Sequence, residues 1–172
     1  GFINTAWTIV EEPGLYRGKC TELCGKNHGF MPIVVKAVEQ DEYDSWIAEK
    51  QAAAIAMAEL TEKDWTAEEL VARGEALYTT NCVACHQVNG QGITGIFPAL
   101  AGSGIVMNDK ARNIEILMEG VQGAAMNSFS YLSEVEMASV ITYTRQSWGN
   151  AQNGDGEIVA PKDIVEYKKN KI

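Results

Sequence analysis

Apolar and polar residues alternate in different ways along the chain and divide it into zones of different predicted structure. Residues 1–40 contain the runs TAWTIVEE and MPIVVKAVE, whose partial alternation predicts strands. Residues 41–65 are rich in Ala, Glu and Lys and lack Gly and Pro, which favours a helical linker. Residues 66–149 show helical patterns between Gly-rich loops. We therefore expect a mainly α protein with a β-rich part at its N-terminal end.

Start and stop signals delimit three helices within residues 66–149. A Ser or Thr followed three residues later by Glu is typical of a capping box at a helix start, and Gly often follows a helix end. The predicted helices are Thr66 to about Cys82 with Glu69 completing the box, Lys110–Glu119 before Gly120, and Ser133–Gly149 with Glu136 completing a second box. Residues 150–172 are polar apart from the segment IVAPKDIVEY, and we interpret them as a C-terminal tail.

Composition and charge exclude several classes of partner. The 172 residues carry a net charge of -9, which argues against binding to nucleic acid or to an anionic membrane surface. The longest apolar run, AAAIAMA at residues 52–58, is far shorter than the roughly 20 residues of a membrane helix. The chain begins at Gly1, inside a run typical of a strand and without an initiator Met. We interpret it as a piece of a longer polypeptide, in which segments absent from this chain supply any membrane association.

The four cysteines and two histidines all fall in two short stretches, CTELCGKNHGFM at residues 20–31 and CVACH at residues 82–86. The second stretch matches the C-x-x-C-H motif of covalent haem c attachment, with Cys82 and Cys85 as thioether partners and His86 as an axial iron ligand. The alternatives are a redox dithiol, which normally occurs in a βαβ context, and half of a zinc site, which needs two more nearby ligands. Neither context follows His86.

A haem c that transfers electrons commonly takes a Met thioether as its second axial ligand, because this ligand raises the reduction potential. Met118 and Met137 fall within amphipathic helices, where Met usually fills the core. Met107 follows an apolar run in a predicted loop, and Met126 lies in the predicted loop GAAMNSFSYLS, about 40 residues beyond the cysteines. We predict Met126 as the ligand, with Met107 as the next candidate.

Residues 66–149 resemble a class I cytochrome c. The segment TAEELVARGEALYTTNCVACH resembles the first helix of that family, in which Gly74 and Tyr78 would meet the last helix near Tyr143. The resemblance implies three main helices around a covalent haem c.

The same resemblance extends to two loops. FPALAGS resembles the loop whose proline carbonyl accepts a hydrogen bond from the haem histidine, which implies that Pro98 orients His86 and raises its basicity. AMNSFSYLSEVEMASVITYTRQSWGN resembles the family's Met loop and last helix. Asn127 is a departure, because the family often has Pro after the ligand Met.

The first cysteine stretch, CTELCGKNHGFM, resembles the binuclear copper A loop of cytochrome c oxidase subunit II. The resemblance implies Cys20 and Cys24 as bridging thiolates, the backbone carbonyl of Glu22, the imidazole of His28 and the thioether of Met31 as copper ligands. Soft sulfur with imidazole is a ligand set that suits copper. The carboxylate of Glu22 would also reach a magnesium ion at the contact with subunit I.

The copper A resemblance covers only part of that family's site. The flanking segments PGLYRGKC and MPIVVKAVEQDEYDSWIAEK resemble the last strands of its cupredoxin barrel. Copper A needs two histidines, and with His86 assigned to haem this chain has only His28. A disulfide between Cys20 and Cys24, or a C-x3-C-x3-H zinc site, remains as an alternative.

Together the two resemblances imply the subunit II of caa-type oxidases, in which a cytochrome c domain (residues 66–149) follows the copper A domain (ending in residues 1–40) through the linker (residues 41–65). The chain would hold electron-transfer centres and no catalytic residue. Its implied partners are oxidase subunit I, other oxidase subunits, and a donor such as a cytochrome c or a quinol–cytochrome c reductase. We expect it on the periplasmic side of a bacterial cytoplasmic membrane. The alternatives are a free-standing cytochrome c carrier or a haem-based sensor with a vestigial N-terminal extension.

Overall fold

A computed structural model describes residues 3–171 of the protein. The chain divides between Ala56 and Met57 into two compact units, here called the hairpin unit and the helical unit. Gly1, which the sequence pattern assigns to a strand, lies outside the described residues. Among residues 3–171 helices predominate and the single sheet has two strands, so the expected mainly α fold class is confirmed.

The elements follow the chain in this order. The strands are β1 (Gly14–Lys19) and β2 (Pro32–Ala37), with a short 3-10 helix at His28–Phe30 between them. The helices are α1 (Gln40–Glu62), α2 (Ala67–Asn81), α3 (Val83–His86), α4 (Gly104–Asn108), α5 (Lys110–Glu119), α6 (Glu134–Gln146), α7 (Asn150–Asn153) and α8 (Pro161–Asn170). In the part of the chain that the structure describes, no helix combines the length and apolar character of a bilayer span.

The hairpin unit contains a two-stranded antiparallel sheet. Strands β1 and β2 pair in register from Gly14 opposite Ala37 to Lys19 opposite Pro32. The run TAWTIVEE, predicted as a strand, is not one, because no described segment lies beside it to form a ladder, and a strand without a partner leaves its backbone groups unpaired. The apolar side chains of the sheet remain about half exposed, as for Ile33 at 51%.

The helical unit confirms the predicted helix starts. Thr66 and Glu69 form the capping box of α2, and Ser133 and Glu136 form that of α6. Helix α5 spans the predicted residues and ends before Gly120. Helix α6 ends at Gln146, earlier than predicted, and is followed by a sharp turn at Trp148, whose φ is +54°.

Helices α2 and α6 cross at Gly74. A Cβ at this position would lie 2.1 Å from the carbonyl oxygen of Ser139 and 2.7 Å from the Cβ of Tyr143. The crossing therefore requires glycine, because any larger residue would push the two helices apart. Tyr78 packs one turn further along α2, with its ring 5.2 Å from the ring of Tyr143.

Residues 150–172, predicted as a tail that is polar apart from IVAPKDIVEY, pack on the helical unit through that apolar segment. Helix α8 packs against α6, and Val159 and Ile164 are fully buried in the core. The Thr142 hydroxyl bonds both backbone groups of Val159, at 3.1 Å to its carbonyl oxygen and 3.0 Å to its nitrogen. Burial of these apolar residues holds a segment that is otherwise polar against the helical unit.

Candidate metal centres

The C-x-x-C-H segment turns around the end of α2. The backbone nitrogen of Cys82 donates to Tyr78, and the carbonyl oxygen of Cys82 accepts hydrogen bonds from the backbone nitrogens of Cys85 and His86, at 3.1 and 2.9 Å. This tight turn places both cysteines and His86 beside the interior of the helical unit. Both cysteines are free thiols.

A cavity of about 300 Å³ opens beside this turn. Cys85, His86, Pro98 and Met126 line it together, and a further space of about 70 Å³ extends inward past Cys82. The remaining walls are mostly apolar, from Phe97, Leu100, Ile105, Val106, Ile116 and Val121, with Ser103 and Asn113 as polar residues. No charged residue belongs to the described lining, so the cavity suits a mostly apolar group.

The imidazole of His86 is oriented by a backbone carbonyl. Its Nδ1 lies 3.0 Å from the carbonyl oxygen of Pro98, so that Nδ1–H donates and Nε2 keeps a free lone pair. Gly92 makes this approach possible, because a Cβ there would lie 2.5 Å from the same oxygen. The arrangement leaves one imidazole nitrogen available to a metal ion.

Among the four methionines considered from the sequence, Met126 alone lines the cavity. Met137 is fully buried in the core, and Met118 packs against that core. The sequence pattern predicted that Met107 lies in a loop, and this prediction is wrong. Met107 belongs to α4, which Ser103 caps, and packs against Gly154.

The environment of Cys82 changes the pKa of its thiol. Burial raises the pKa of the Cys82 thiol to about 11, and the nearby Cys85 thiol raises it further in the same direction. The pKa of Tyr78, one turn earlier, is also raised by burial. Cys82 therefore stays a neutral thiol near pH 7 in the haem-free chain, as expected for a side chain in an apolar wall.

Asn150 anchors the Pro98 loop, a role that sequence reasoning missed. It is buried, and its Oδ1 accepts from the backbone nitrogen of Gly102 at 2.8 Å while its Nδ2 donates to the carbonyl oxygens of Leu100 and Thr144. It thus fastens the loop that carries Pro98 to the end of α6. A lone Asn after a helix gives no signal of this role in the sequence.

The loop between β1 and β2 gathers the five residues expected at a copper site. The Sγ atoms of Cys20 and Cys24 lie 3.5 Å apart, and the Sγ of Cys20 lies 3.1 Å from the carbonyl oxygen of Glu22. The Sγ of Cys24 lies 3.4 Å from Nδ1 of His28 and 3.1 Å from Sδ of Met31. Neither cysteine is in a disulfide.

The donor set of this loop fits a soft metal ion. One ligand atom each from Cys20, Cys24 and His28 lies within 4.8 Å of the others. Two thiols, an imidazole and a thioether suit copper, although a tetrahedral zinc ion would also accept the first three. The hydrogen bond to Cys20, followed by partial desolvation, raises the pKa of Cys24, so a metal ion must displace a proton to bind there. The set is one imidazole short of the two that the copper A resemblance requires.

Comparisons with known proteins match the two units separately. Residues 1–38 match the family model of the cytochrome c oxidase subunit II periplasmic domain, and residues 71–148 match that of cytochrome c. These matched ranges contain the copper-type loop and the cavity with its C-x-x-C-H turn.

Several individual relatives are named as subunit 2 of cytochrome c oxidase. Cytochrome c oxidase subunit 2 of Alkalihalophilus pseudofirmus is 32% identical over 156 residues, which cover 84% of this chain and 43% of that protein. The probable cytochrome c oxidase subunit 2 of Rickettsia felis is 51% identical over 55 residues, or 32% of this chain and 18% of that protein. The subunit 2 of Arabidopsis thaliana is 48% identical over 48 residues, or 28% of this chain and 18% of that protein. The chain thus spans less than half the length of these relatives.

The matches and the geometry converge on the same assignment for each unit. Residues 1–38 are thus similar to the periplasmic domain of cytochrome c oxidase subunit II, and residues 71–148 are similar to cytochrome c.

Proposed function

We propose that this chain is an electron-transfer part of subunit II of a respiratory haem–copper cytochrome c oxidase. The observation that carries the proposal is the presence, in one chain, of a cavity lined by Cys85, His86 and Met126 and of a separate loop with two thiols, an imidazole and a thioether. The names of the relatives support the same oxidoreductase complex.

The helical unit would hold a haem c through Cys82 and Cys85 as thioethers, with His86 and Met126 as the axial iron ligands. A haem ligated by His and Met supplies reversible one-electron transfer at a raised potential. The residues present fit this group, because Nε2 of His86 is free and the cavity is apolar.

The protein's own contribution is positioning and tuning of that group. The Pro98 carbonyl fixes the ring plane of His86 and makes its Nε2 more basic, while the apolar walls keep water out. Met126 supplies a weak, polarizable donor. Rigid walls reduce the rearrangement that accompanies gain or loss of an electron.

The hairpin loop would hold copper A through Cys20, Cys24, His28, Met31 and the Glu22 carbonyl, with a second imidazole from residues outside this chain. The Glu22 carboxylate would serve the magnesium ion at the subunit I contact. We infer that electrons pass from a donor, such as a cytochrome c or quinol–cytochrome c reductase, to haem c, then to copper A and subunit I. This assignment places the chain in the bacterial periplasm, beside the cytoplasmic membrane.

A spectroscopic comparison of methionine variants tests the haem assignment. The oxidised chain with attached haem should show the weak near-infrared charge-transfer band of iron–thioether ligation. Replacing Met126 with Ala should abolish this band, whereas Met107→Ala should preserve it. If the band survives in Met126→Ala and is lost in Met107→Ala, the ligand is Met107 and not Met126.

Copper reconstitution tests the hairpin loop. Because this chain offers one imidazole to the loop, we expect it to form no stable mixed-valence copper pair by itself. The reduced chain would be loaded with copper and its electron paramagnetic resonance spectrum recorded, with Cys24→Ser as the control. A seven-line hyperfine pattern at high occupancy would show that the chain contains a ligand not identified here.

A further inference from the structure

The loop that carries Met126 closes over the C-terminal end of α5. The last carbonyl groups of a helix have no partner within it and must be satisfied from outside. In α5 the carbonyl oxygen of Ile116 accepts from the backbone nitrogen of Gly120 at 2.8 Å, and that of Leu117 accepts from the nitrogen of Phe129, also at 2.8 Å. The Met126 loop therefore serves as the C-terminal cap of α5.

Ser128 completes this cap through its side chain. Its hydroxyl donates to the carbonyl oxygen of Met118 at 2.6 Å, and its Oγ accepts from the backbone nitrogen of Ser130 at 3.2 Å. It is the one side chain of the loop whose hydroxyl bonds to α5 among residues 3–171. Ser128 lies two residues after Met126, so its attachment limits how far Met126 can move from the cavity.

The backbone of Met126 is also held by a hydrogen bond from Val121. Its carbonyl oxygen accepts from the nitrogen of Val121 at 2.9 Å. Gly120, at φ +74°, allows this contact, because a Cβ there would lie 2.6 Å from the same oxygen. Met126 is thus held by two attachments, one from its own backbone to Val121 just after α5 and one from the Ser128 side chain to Met118 in α5. Asn127, between Met126 and Ser128, has none of the stiffness of proline.

We propose that Ser128 is a positioning residue that keeps the thioether of Met126 on the haem iron by fastening the loop to α5. This inference rests on the proposed function, in which Met126 is the axial ligand. Loss of one neutral hydrogen bond of this kind changes an equilibrium by about fivefold. Without the Ser128 hydroxyl, the loop should release Met126 from the iron about fivefold more often.

Imidazole measures this release directly, because it occupies the sixth iron position only when Met126 has left it. Its apparent dissociation constant falls as the released fraction rises. The full chain with covalently attached haem would be titrated with imidazole and followed by its visible and near-infrared absorption. The variants are Ser128→Ala, Ser128→Thr, Ser130→Ala and Met126→Ala.

We expect Ser128→Ala to bind imidazole about fivefold more tightly than the unaltered chain. Ser128→Thr keeps the hydroxyl at an exposed position and should restore the original affinity. Ser130→Ala is the matched control, because its hydroxyl lies 3.0 Å from that of Ser128 but makes no bond to α5. It should change the affinity less than about twofold.

The outcomes distinguish the assignment of Met126 as the iron ligand from the positioning role of Ser128. If Met126→Ala keeps the charge-transfer band, the proposed ligand is wrong and the role of Ser128 falls with it. If Met126→Ala loses the band but Ser128→Ala binds imidazole like the unaltered chain, the positioning role alone is overturned. Equal effects of Ser128→Ala and Ser130→Ala, or a Thr variant that behaves like Ala, would also overturn it.

Discussion

The two units build their candidate metal sites in opposite ways. In the hairpin unit, residues 20–31 bring all five candidate ligands together, and no side chain among residues 3–56 is buried. In the helical unit, the cavity joins His86 to Met126, and residues beyond Met126 hold its walls in place. The ligand set of the hairpin loop therefore depends on local chain geometry, whereas the cavity of the helical unit depends on the whole packed core. Distant substitutions should therefore affect only the second.

The largest expected effect is at the crossing of α2 and α6. Gly74→Ala would place a Cβ 2.1 Å from a backbone oxygen, so the helices must separate. We expect the unfolding free energy of the helical unit to fall by about 3 kcal/mol or more, and the haem spectrum to change. Denaturant unfolding monitored by haem absorption measures both.

Gly104 provides the control for this substitution. Nothing lies within 4 Å of a Cβ built on Gly104, at the start of α4. Gly104→Ala should leave stability unchanged or raise it slightly, by up to about 1 kcal/mol, since Ala favours a helix. Equal behaviour of the two alanine variants would mean that the crossing adapts to a methyl group and does not require glycine.

The same Ile→Ala substitution in each unit tests whether the two units are stabilised independently. Ile164 is fully buried against α6, whereas Ile33 is 51% exposed on β2. Ile164→Ala should lower the unfolding free energy of the helical unit by about 2–4 kcal/mol, because it leaves a cavity. Ile33→Ala should leave haem-monitored unfolding unchanged. A similar loss from both would contradict the independence of the two units.

The sequence predicted the parts of the fold that local signals govern. Capping pairs such as Ser133 with Glu136 determined where helices start, because these contacts join residues three apart. The C-x-x-C-H turn and the copper-type loop are likewise short motifs, and their residues lie together in the structure. Local chemistry was enough for these elements.

Features that depend on distant partners were missed. Helix α8 is mostly polar, and the burial of Ile164 depends on a matching surface of α6 that no local pattern reveals. The run TAWTIVEE has strand composition, yet a strand also needs a neighbour, which composition cannot supply. The contacts of Asn150 to Leu100 and Gly102 likewise span about 50 residues.

A smaller effect is expected where α6 meets the Pro98 loop. Asn150→Ala removes the three hydrogen bonds that this buried side chain makes to backbone groups and should lower the unfolding free energy by about 1–3 kcal/mol. Because the loop carries Pro98, the reduction potential should also shift. Asn153→Ala, on the same short helix but exposed, should cost less than about 1 kcal/mol and leave the potential unchanged. If Asn150→Ala leaves the reduction potential unchanged, Asn150 contributes to stability alone.

The smallest effect concerns an ion pair that ties α8 to α6. The hydrogen bond from Lys168, 2.8 Å from Glu134, holds the pKa of that carboxyl below its usual range. A lowered folded pKa contributes stability above the unfolded pKa, and this contribution is lost as pH falls through the folded value. Glu134→Gln should therefore cost less than about 1 kcal/mol near pH 7, and less again near pH 3.

The exposed pair of Lys36 with Glu42 in the hairpin unit provides the control. Glu42→Gln should leave haem-monitored unfolding unchanged at both pH values. Unfolding curves of both variants, recorded at the two pH values, check the difference. A penalty in Glu134→Gln that persists at low pH would show that the pair acts through packing, not through charge.

Helix α1 joins the two units, and none of its 23 residues is buried. A helix that is stabilised by little tertiary packing opens locally at low cost, and open backbone is what proteases cleave. Limited proteolysis should therefore cut within α1 and release the helical unit intact, with its buried core complete. If the helical unit holds haem c as proposed, the same polypeptide would then yield a small, diffusible haem protein, and a single cleavage would turn a tethered electron carrier into a free one.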